Sequence, residues 1–381
     1  EITPYAPVIV NGYDGDHLTV DIEGQTLYVE AGELTILGED FTVAPFEAKT
    51  SEKAVLYEYP LENALQLADI KKNAPLTVTA FHGVYARVTD GKHEGYLHYD
   101  KLKSTNSTKA ALAELQKHME RIEAQRFLNV ALTMMDENNP VLLAYNENCG
   151  GSVSARFKYG CPYLFAGSNE SSLLCPRYAS QDSHYYSTSK LYLGGFDCIG
   201  FARWVHNQVG MKKLPAISET RNAAKPNRID MQDLPSAQWA QNMKVGDCIN
   251  LANQGGGYHV MIYIGTLRDF GFTAEQVGEQ LAPYLDNPLT IHCGMNNYHT
   301  AWYTQYLKDE NLTSVTPPDG GVTISILGIP YDSVPNTETM WKGTSNVKTF
   351  YWFDLLGYNL TVINPDSEAF RWYSVYRNTE K

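Results

Sequence analysis

Short apolar runs that alternate with polar residues fill the first hundred positions and are divided by glycine-bearing turns. Alternation with a period of two marks half-buried strands. The clearest are Ala54-Val55-Leu56-Tyr57, Leu76-Thr77-Val78-Thr79, Tyr85-Ala86-Arg87-Val88 and Tyr96-Leu97-His98. The pattern repeats. Ala6-Pro7-Val8-Ile9-Val10 corresponds to Ala74-Pro75-Leu76-Thr77-Val78, and the same offset of 68 carries Gly15 onto Gly83, Val20 onto Val88, Tyr28 onto Tyr96 and Leu34 onto Leu102. Two copies of one small β unit are the economical reading. The first spans 1–49 and opens in mid-pattern; the second spans 50–104. Each is expected to be a small barrel.

A polar hinge from Ser104 to Lys109 ends this region, and the apolar period changes. Ala111, Leu112, Leu115, Met119 and Ile122 share one helical face, and a second helix is expected from about 125 to 136, interrupted by Asn138-Asn139-Pro140. Residues 105–140 therefore read as a helical linker and 141–381 as the main domain. Within it, Phe201, Ala202, Trp204, Val205 and Val209 recur at three- and four-residue spacings, with Gly210 as a stop. Asp197 is placed to cap that helix, because a carboxylate accepts a free N–H of the first turn. Residues 258–264 read as a strand with His259, Met261 and Tyr263 on one face and Val260, Ile262 and Ile264 on the other. A second short strand ends at His292, and Thr273 with Gln276 forms a capping box between the two. Gly255-Gly256-Gly257 is followed by no Lys-Ser/Thr pair, so it reads as a hairpin turn and not a phosphate cradle. The tail from 300 to 381 carries strand-like runs such as Val322 to Leu327 and is expected to extend the sheet or cover the domain. The whole pattern is α+β.

Composition removes several classes of function. The net charge of −13 argues against nucleic acid, which needs clustered Lys and Arg. No apolar run approaches membrane-spanning length. The acidic, tyrosine-rich composition (26 Tyr) fits an exported protein, and the chain opens at Glu1 without a methionine or signal sequence, which reads as a mature or trimmed form. Of the six cysteines none stands in a CxxC pattern and no HExxH occurs, so no metal or other cofactor is expected. Cys248 and Cys293 fall in apolar strands and read as buried small hydrophobes; a disulfide among Cys149, Cys161 and Cys175 stays open. Nothing in the sequence speaks to oligomeric state.

Candidate chemistry centres on Cys198, in Gly195-Phe196-Asp197-Cys198-Ile199-Gly200-Phe201, and on His259, 61 residues later. A thiol on the first residue of a helix is expected to be partly exposed, with its thiolate stabilised by the helix dipole. An imidazole fixed on a strand is the matching base. A third polar group should orient that ring. His292 leads, with Asn296, Asn297 and His299 as alternatives on the same stretch.

Three segments in this order resemble the NlpC/P60 family of cell-wall cysteine peptidases. Tyr159-Gly160-Cys161-Pro162-Tyr163-Leu164-Phe165-Ala166-Gly167 is similar to its G-x-P-Y-x-W-G-G segment, and Gly195 to Phe201 to its G-F-D-C-S-G-F nucleophile motif. Val245-Gly246-Asp247 followed by His259-Val260-Met261-Ile262-Tyr263-Ile264-Gly265 is similar to its P-G-D and H-V-x-I-Y-x-G strand pair. Residues 50–103 likewise resemble a bacterial SH3 (SH3b) domain. The resemblance implies a papain-like α+β catalytic domain preceded by SH3-like units that attach to the wall, shape the cleft or act as spacers. It implies Cys198 as nucleophile, His259 as base, His292 as third residue, Tyr163 lining the cleft and Asp197 holding a substrate amine. The implied substrate is the stem peptide of peptidoglycan, cut between γ-D-glutamate and a diamino acid, in an extracellular or wall-associated protein. An N-acetylmuramoyl-L-alanine amidase, an acyltransferase or a non-catalytic SH3b wall binder are the alternatives. Two departures stand out: Ile199 replaces the family's Ser, and residues 168–193 are inserted between the first two motifs. That insertion, with Tyr178, Tyr185, Tyr186 and Tyr192, is expected to border the cleft.

Overall fold

The structure, a computed structural model, describes residues 9–14, 17–22, 25–30, 40–61, 64–135, 157–173, 177–178, 185–229, 231, 234–253, 257–295, 299–333, 348–355, 358–368 and 370–379. The expectations placed on Asn138-Asn139-Pro140, Cys149, Cys175, Asn296 and Asn297 lie outside these residues. The chain divides into two compact units, Glu1–Ile122 and Glu123–Lys381.

The first unit opens with an antiparallel meander, β1 (Ile9–Asp14), β2 (His17–Ile22) and β3 (Gln25–Glu30). A separate six-stranded sheet follows, built from β4 (Phe41–Lys49), β5 (Ala54–Tyr57), β6 (Gln66–Ile70), β7 (Pro75–His82), β8 (Tyr85–Thr89) and β9 (Glu94–His98) in the order β4-β7-β8-β9-β5-β6. The 68-residue offset is visible here: His17, which opens β2, maps onto Tyr85, which opens β8, so meander answers meander. Two expectations change. Among the described residues no pairing joins β4 to β6, so the sheet is open where a barrel was expected. And β4 pairs with β7, so the second unit begins before Phe41 and not at residue 50. The repeat did not reveal β4, because it pairs across the sheet with a strand far along the chain. The core gathers Leu56, Val78, Phe81, Ala86, Val88 and Leu97, closed by Ala111 and Leu115.

Those last two lie on α1 (Asn106–Thr133), one continuous helix where the sequence pattern suggested two. The stretch Glu123-Ala124-Gln125-Arg126 contains no glycine or proline and consists of good helix formers, so nothing breaks the ladder there. Its later turns place Phe127, Leu128 and Ala131 in the core of the second unit. Of the expected linker at 105–140, the described residues up to Ile122 belong to the first unit and those from Glu123 to Met135 to the second.

The second unit contains β10 (Arg177–Tyr178), β11 (Leu191–Tyr192), α2 (Cys198–Gln208), α3 (Ile217–Arg221), β12 (Arg228–Ile229), β13 (Cys248–Asn253), β14 (Tyr258–Thr266), α4 (Ala274–Leu281), β15 (Pro288–Met295), α5 (His299–Asp309), β16 (Val315–Thr316), β17 (Gly320–Leu327), β18 (Lys348–Leu355), β19 (Tyr358–Ile363) and β20 (Phe370–Tyr376). Its central sheet runs β12-β20-β13-β14-β15-β17-β19-β18. The tail therefore extends the sheet on both flanks, with β20 beside β13 and β19 beside β17. Period-two patterning gives the sheet two buried faces. Val260, Ile262 and Ile264 pack toward α2 with Ile291, Cys293 and Ile324, whereas Met261 and Tyr263 pack with Trp239, Leu251 and Val375 on the other side.

Candidate active site

The sequence sets the start of α2 directly. Asp197 has extended backbone (φ −86°, ψ −177°), and its Oδ1 accepts the Gly200 N–H at 2.7 Å, the expected cap. The turn is seated by main-chain contacts at glycines. A methyl group on Gly200 would run into the Gly167 carbonyl oxygen, and one on Gly195 into the Pro162 carbonyl oxygen, both closer than carbon and oxygen can approach. Gly200→Ala should therefore lower stability by about 2 kcal/mol or more in a denaturant melt, since a backbone carbonyl cannot swing aside as a side chain can. A loss below about 0.5 kcal/mol, the range of neutral surface changes, would show that the joint relaxes.

The segment Cys161–Leu164 is threaded between the residues preceding α2 and the start of β17. The Tyr163 N–H donates to Gly320 O (2.8 Å), the Leu164 N–H to Phe196 O (2.9 Å) and the Phe196 N–H to Pro162 O (3.2 Å). This seats Tyr163 near Cys198. Burial, followed by the nearby acidic groups of Cys198, Cys293 and Asp197, raises its hydroxyl well above the usual tyrosine range. The Asp197 carboxyl is also raised by burial, against the opposing pull of the Gly200 N–H and Arg203.

Cys198 is only 8% exposed, so the expected partial exposure does not hold. Burial, with a further contribution from the Asp197 charge, pushes its thiol up to about 12. The N–H groups of Val260, Ile199 and Cys198 itself act in the opposite direction and do not overcome it. Desolvation outweighs the helix-start field that the sequence reading relied on. The Val260 contact fixes where the sulfur lies. The β14–β15 ladder runs from Thr266↔Pro288 to Ile262↔Ile291 and stops there, short of His259. At that open end the Val260 N–H faces the sulfur.

The same open end brings two histidines together. His259 Nε2 lies 2.8 Å from His292 Nδ1, with the rings nearly perpendicular at 84°. His292 Nε2 lies 2.7 Å from the Ser325 hydroxyl, which in turn contacts the Thr361 hydroxyl. Burial lowers His259 to about 4, and burial together with His259 lowers His292 well below the usual value, so both rings rest neutral. His299 donates from Nε2 to Val322 O at 2.7 Å and does not partner His259. Among the described residues, no hydrogen bond joins the Cys198 sulfur to either His259 or His292.

The insertion packs on Phe165, and its Tyr186 lies near Tyr163. Tyr185 stacks on Phe165 at 3.7 Å between centroids, Tyr186 donates its hydroxyl to Phe165 O, and Tyr192 packs edge-on against Tyr186. The side chain of Tyr178 lies outside the described residues. A cavity of about 380 Å³ lies along α2, walled by Ser168, Asn169, Arg203, Trp204, Asn207 and Lys213 among others. Cys198, His259 and His292 do not line it.

Sequence reasoning missed two features. Ser325 is hidden in a run read only as strand, although the alternation Thr323-Ile324-Ser325-Ile326 announces a polar face, and Thr361 lies in a part of the tail to which the sequence assigns no element. The second is another Cys–His–Asn grouping: Cys248 Sγ lies 3.5 Å from His206 Nε2, and Asn378 Nδ2 lies 3.5 Å from His206 Nδ1. Cys248 and His206 are fully buried, and burial raises the thiol and lowers the imidazole to about 4, so this grouping is part of the core. Cys161 is a free, buried thiol, which removes it from any disulfide; Cys293, also free, donates to Phe196 O at 3.1 Å.

Residues 160–307 match the model of the NlpC/P60 family. No curated protein matches the chain. Among solved structures it is similar to NlpC2 from Trichomonas vaginalis, at 15% identity over 76% of each chain and a TM-score of 0.20. It is similar also to NlpC1 from Trichomonas vaginalis, at 14% identity over 76% of this chain and 73% of that one, with a TM-score of 0.22. A third is an NlpC/P60 family protein from Bacillus cereus ATCC 10987, at 17% identity over 86% and 75% of the two chains, with a TM-score of 0.19. The family match takes in α2, β14 and β15 together, and residues 160–307 therefore form an NlpC/P60 domain of papain-like α+β fold.

Proposed function

We propose that the protein is a cysteine endopeptidase of the cell wall, cutting peptidoglycan stem peptides between the γ-carboxyl of D-glutamate and the diamino acid. NlpC/P60 proteins are in general cell-wall peptidases, and this reading narrows that statement to one bond. The observation that supports it best lies at the open end of the β14–β15 ladder, where the Val260 N–H, one residue after His259, acts on the Cys198 sulfur and His259 lies 2.8 Å from His292.

In this reading His259 takes the Cys198 proton as the sulfur attacks the peptide carbonyl. The backbone N–H at the start of α2 stabilises the oxyanion. His259 then passes the proton to the leaving amine, and water releases the acyl group from sulfur. Because the resting thiol and imidazole are both neutral, proton transfer accompanies attack and no ion pair precedes it. Tyr163 and the Phe165–Tyr185 stack offer flat walls for a sugar-peptide. Asp197 offers charge to a substrate amine, and Ile199 adds no hydroxyl beside it. The protein acts outside the cell at the wall, with the N-terminal sheets as SH3b-like wall-contacting modules.

Mass spectrometry of digested stem peptides tests the bond. Release of a fragment ending in D-glutamate, with the diamino acid as the new N-terminus, is the expected result. Muramic acid freed from L-Ala would identify an amidase instead. The buried thiol favours one second reading, a wall-binding protein without hydrolytic activity, for which the digest would be unchanged.

A further inference from the structure

We infer that Ser325 and Thr361 are positioning residues, which fix the direction of a proton chain through His292 so that His259 presents a bare Nδ1 to the thiol. The inference rests on His259 being the base. Four contacts make the chain, and it crosses β14, β15, β17 and β19: His259 Nε2 to His292 Nδ1 (2.8 Å), His292 Nε2 to Ser325 Oγ (2.7 Å), Ser325 Oγ to Thr361 Oγ1, and Thr361 Oγ1 to the Ile324 carbonyl (3.0 Å).

Only the last link has a polarity set by chemistry alone. A carbonyl oxygen accepts and never donates, so the single Thr361 proton goes to Ile324 O. Thr361 Oγ1 must then accept, and the Ser325 proton is committed to it. The Ser325 oxygen in turn accepts, so His292 carries its proton on Nε2. A neutral imidazole has one N–H, which leaves His292 Nδ1 bare and makes it the acceptor for His259 Nε2–H. Neutral His259 is then bare at Nδ1. Each link uses one donor and one acceptor, and none is left over.

The reverse polarity fails at the far end. It would turn the Thr361 proton toward Ser325 and set two acceptor oxygens, Thr361 Oγ1 and Ile324 O, against each other. It would also place a proton on His259 Nδ1, where the thiol proton has to arrive. Burial enforces the choice: Ser325 and Thr361 are fully buried and His292 is 4% exposed, so bulk water has little access to rescue a mismatched link. Burial also keeps both rings neutral at rest. During attack the thiol proton moves to His259 Nδ1 and the positive charge that forms is shared toward His292 Nδ1 through Nε2–H. No proton needs to leave the chain.

The test is imidazole ¹⁵N NMR of the full-length protein at neutral pH, which reports the tautomer of each histidine. Nε2–H on both His259 and His292 is expected. Nδ1–H on either would overturn the inference, and this reading does not depend on hydrolysis. Thr361→Val removes the hydroxyl at nearly constant shape and should mix the His292 tautomers while lowering kcat by about 10-fold with KM nearly unchanged. Thr361→Ser should restore both. A valine variant with wild-type tautomers and wild-type kcat would remove Thr361 from the chain. If instead Cys198→Ala retained hydrolysis, the nucleophile assignment would fail while the tautomer measurement still decided the chain. If the valine variant did not fold, the wild-type spectrum alone would decide it.

Discussion

Replacing Cys198 by Ala is expected to reduce stem-peptide hydrolysis by at least about 10³-fold, because among the described residues no other thiol lies at the start of α2 beside Val260. The fold should survive. Cys198 is buried, and the change removes one sulfur atom together with the Val260 N–H contact to it, so the cost should be about 1–2 kcal/mol. Hydrolysis in the purified variant and its thermal melt are measured side by side. Activity within tenfold of wild type would end the nucleophile assignment. It would also turn attention to how the buried second pair, Cys248 and His206, could reach a substrate, which their complete burial opposes.

Mild acid should destabilise the second unit through its buried histidines, with the raised carboxyls of Asp197 and Asp247 offsetting part of the effect. Burial lowers His206, His259 and His299 from 6.5 to about 4. A depressed histidine value means that the unfolded chain binds the proton first. The stabilisation is therefore complete above about 6.5 and is lost as pH falls from there toward 4. Each fully buried histidine costs up to about 1.4 kcal/mol per pH unit in that window. The two fully buried rings, His206 and His299, together approach about 3 kcal/mol per unit, a large share of the 5–15 kcal/mol typical of a domain. His259 contributes least, since its side chain is only half-buried. Urea melts at pH 7, 6 and 5 measure the slope. A flat profile across those three would show that the histidines take up protons in place without opening the core.

The parts of this protein that were legible in its sequence are those governed by local rules. The Asp197 cap, the start of α2 at Cys198, the strand at 258–264 and the Thr273–Gln276 capping box all depend on residues within a few positions of one another. The partnership of His259 with His292 was also within reach, because two adjacent antiparallel strands carry them. What escaped was set by distance along the chain. β4 could not be assigned until β7 was seen beside it, and Thr361 joined the site only through a parallel pairing with Ser325. The exposure of Cys198 was misjudged for a related reason. A helix start is a local fact, whereas the environment around it is supplied by Pro162, Gly167 and Val260, each from a different segment. The division of α1 into two helices differs in kind, since no breaking residue stands between them and the helix runs on from Asn106 to Thr133.

The seating of α2 by Gly167, Gly195 and Gly200 against carbonyl oxygens has a consequence for how this protein can change over time. A joint built from main chain does not register which side chains flank it. The residue at 199 can pass from Ser to Ile, altering what the cleft offers a substrate, while the sulfur one position earlier keeps its place. In the proposed reading, the place of the thiol and the choice of substrate can then vary separately, and new specificities can be explored at 199 without moving the sulfur.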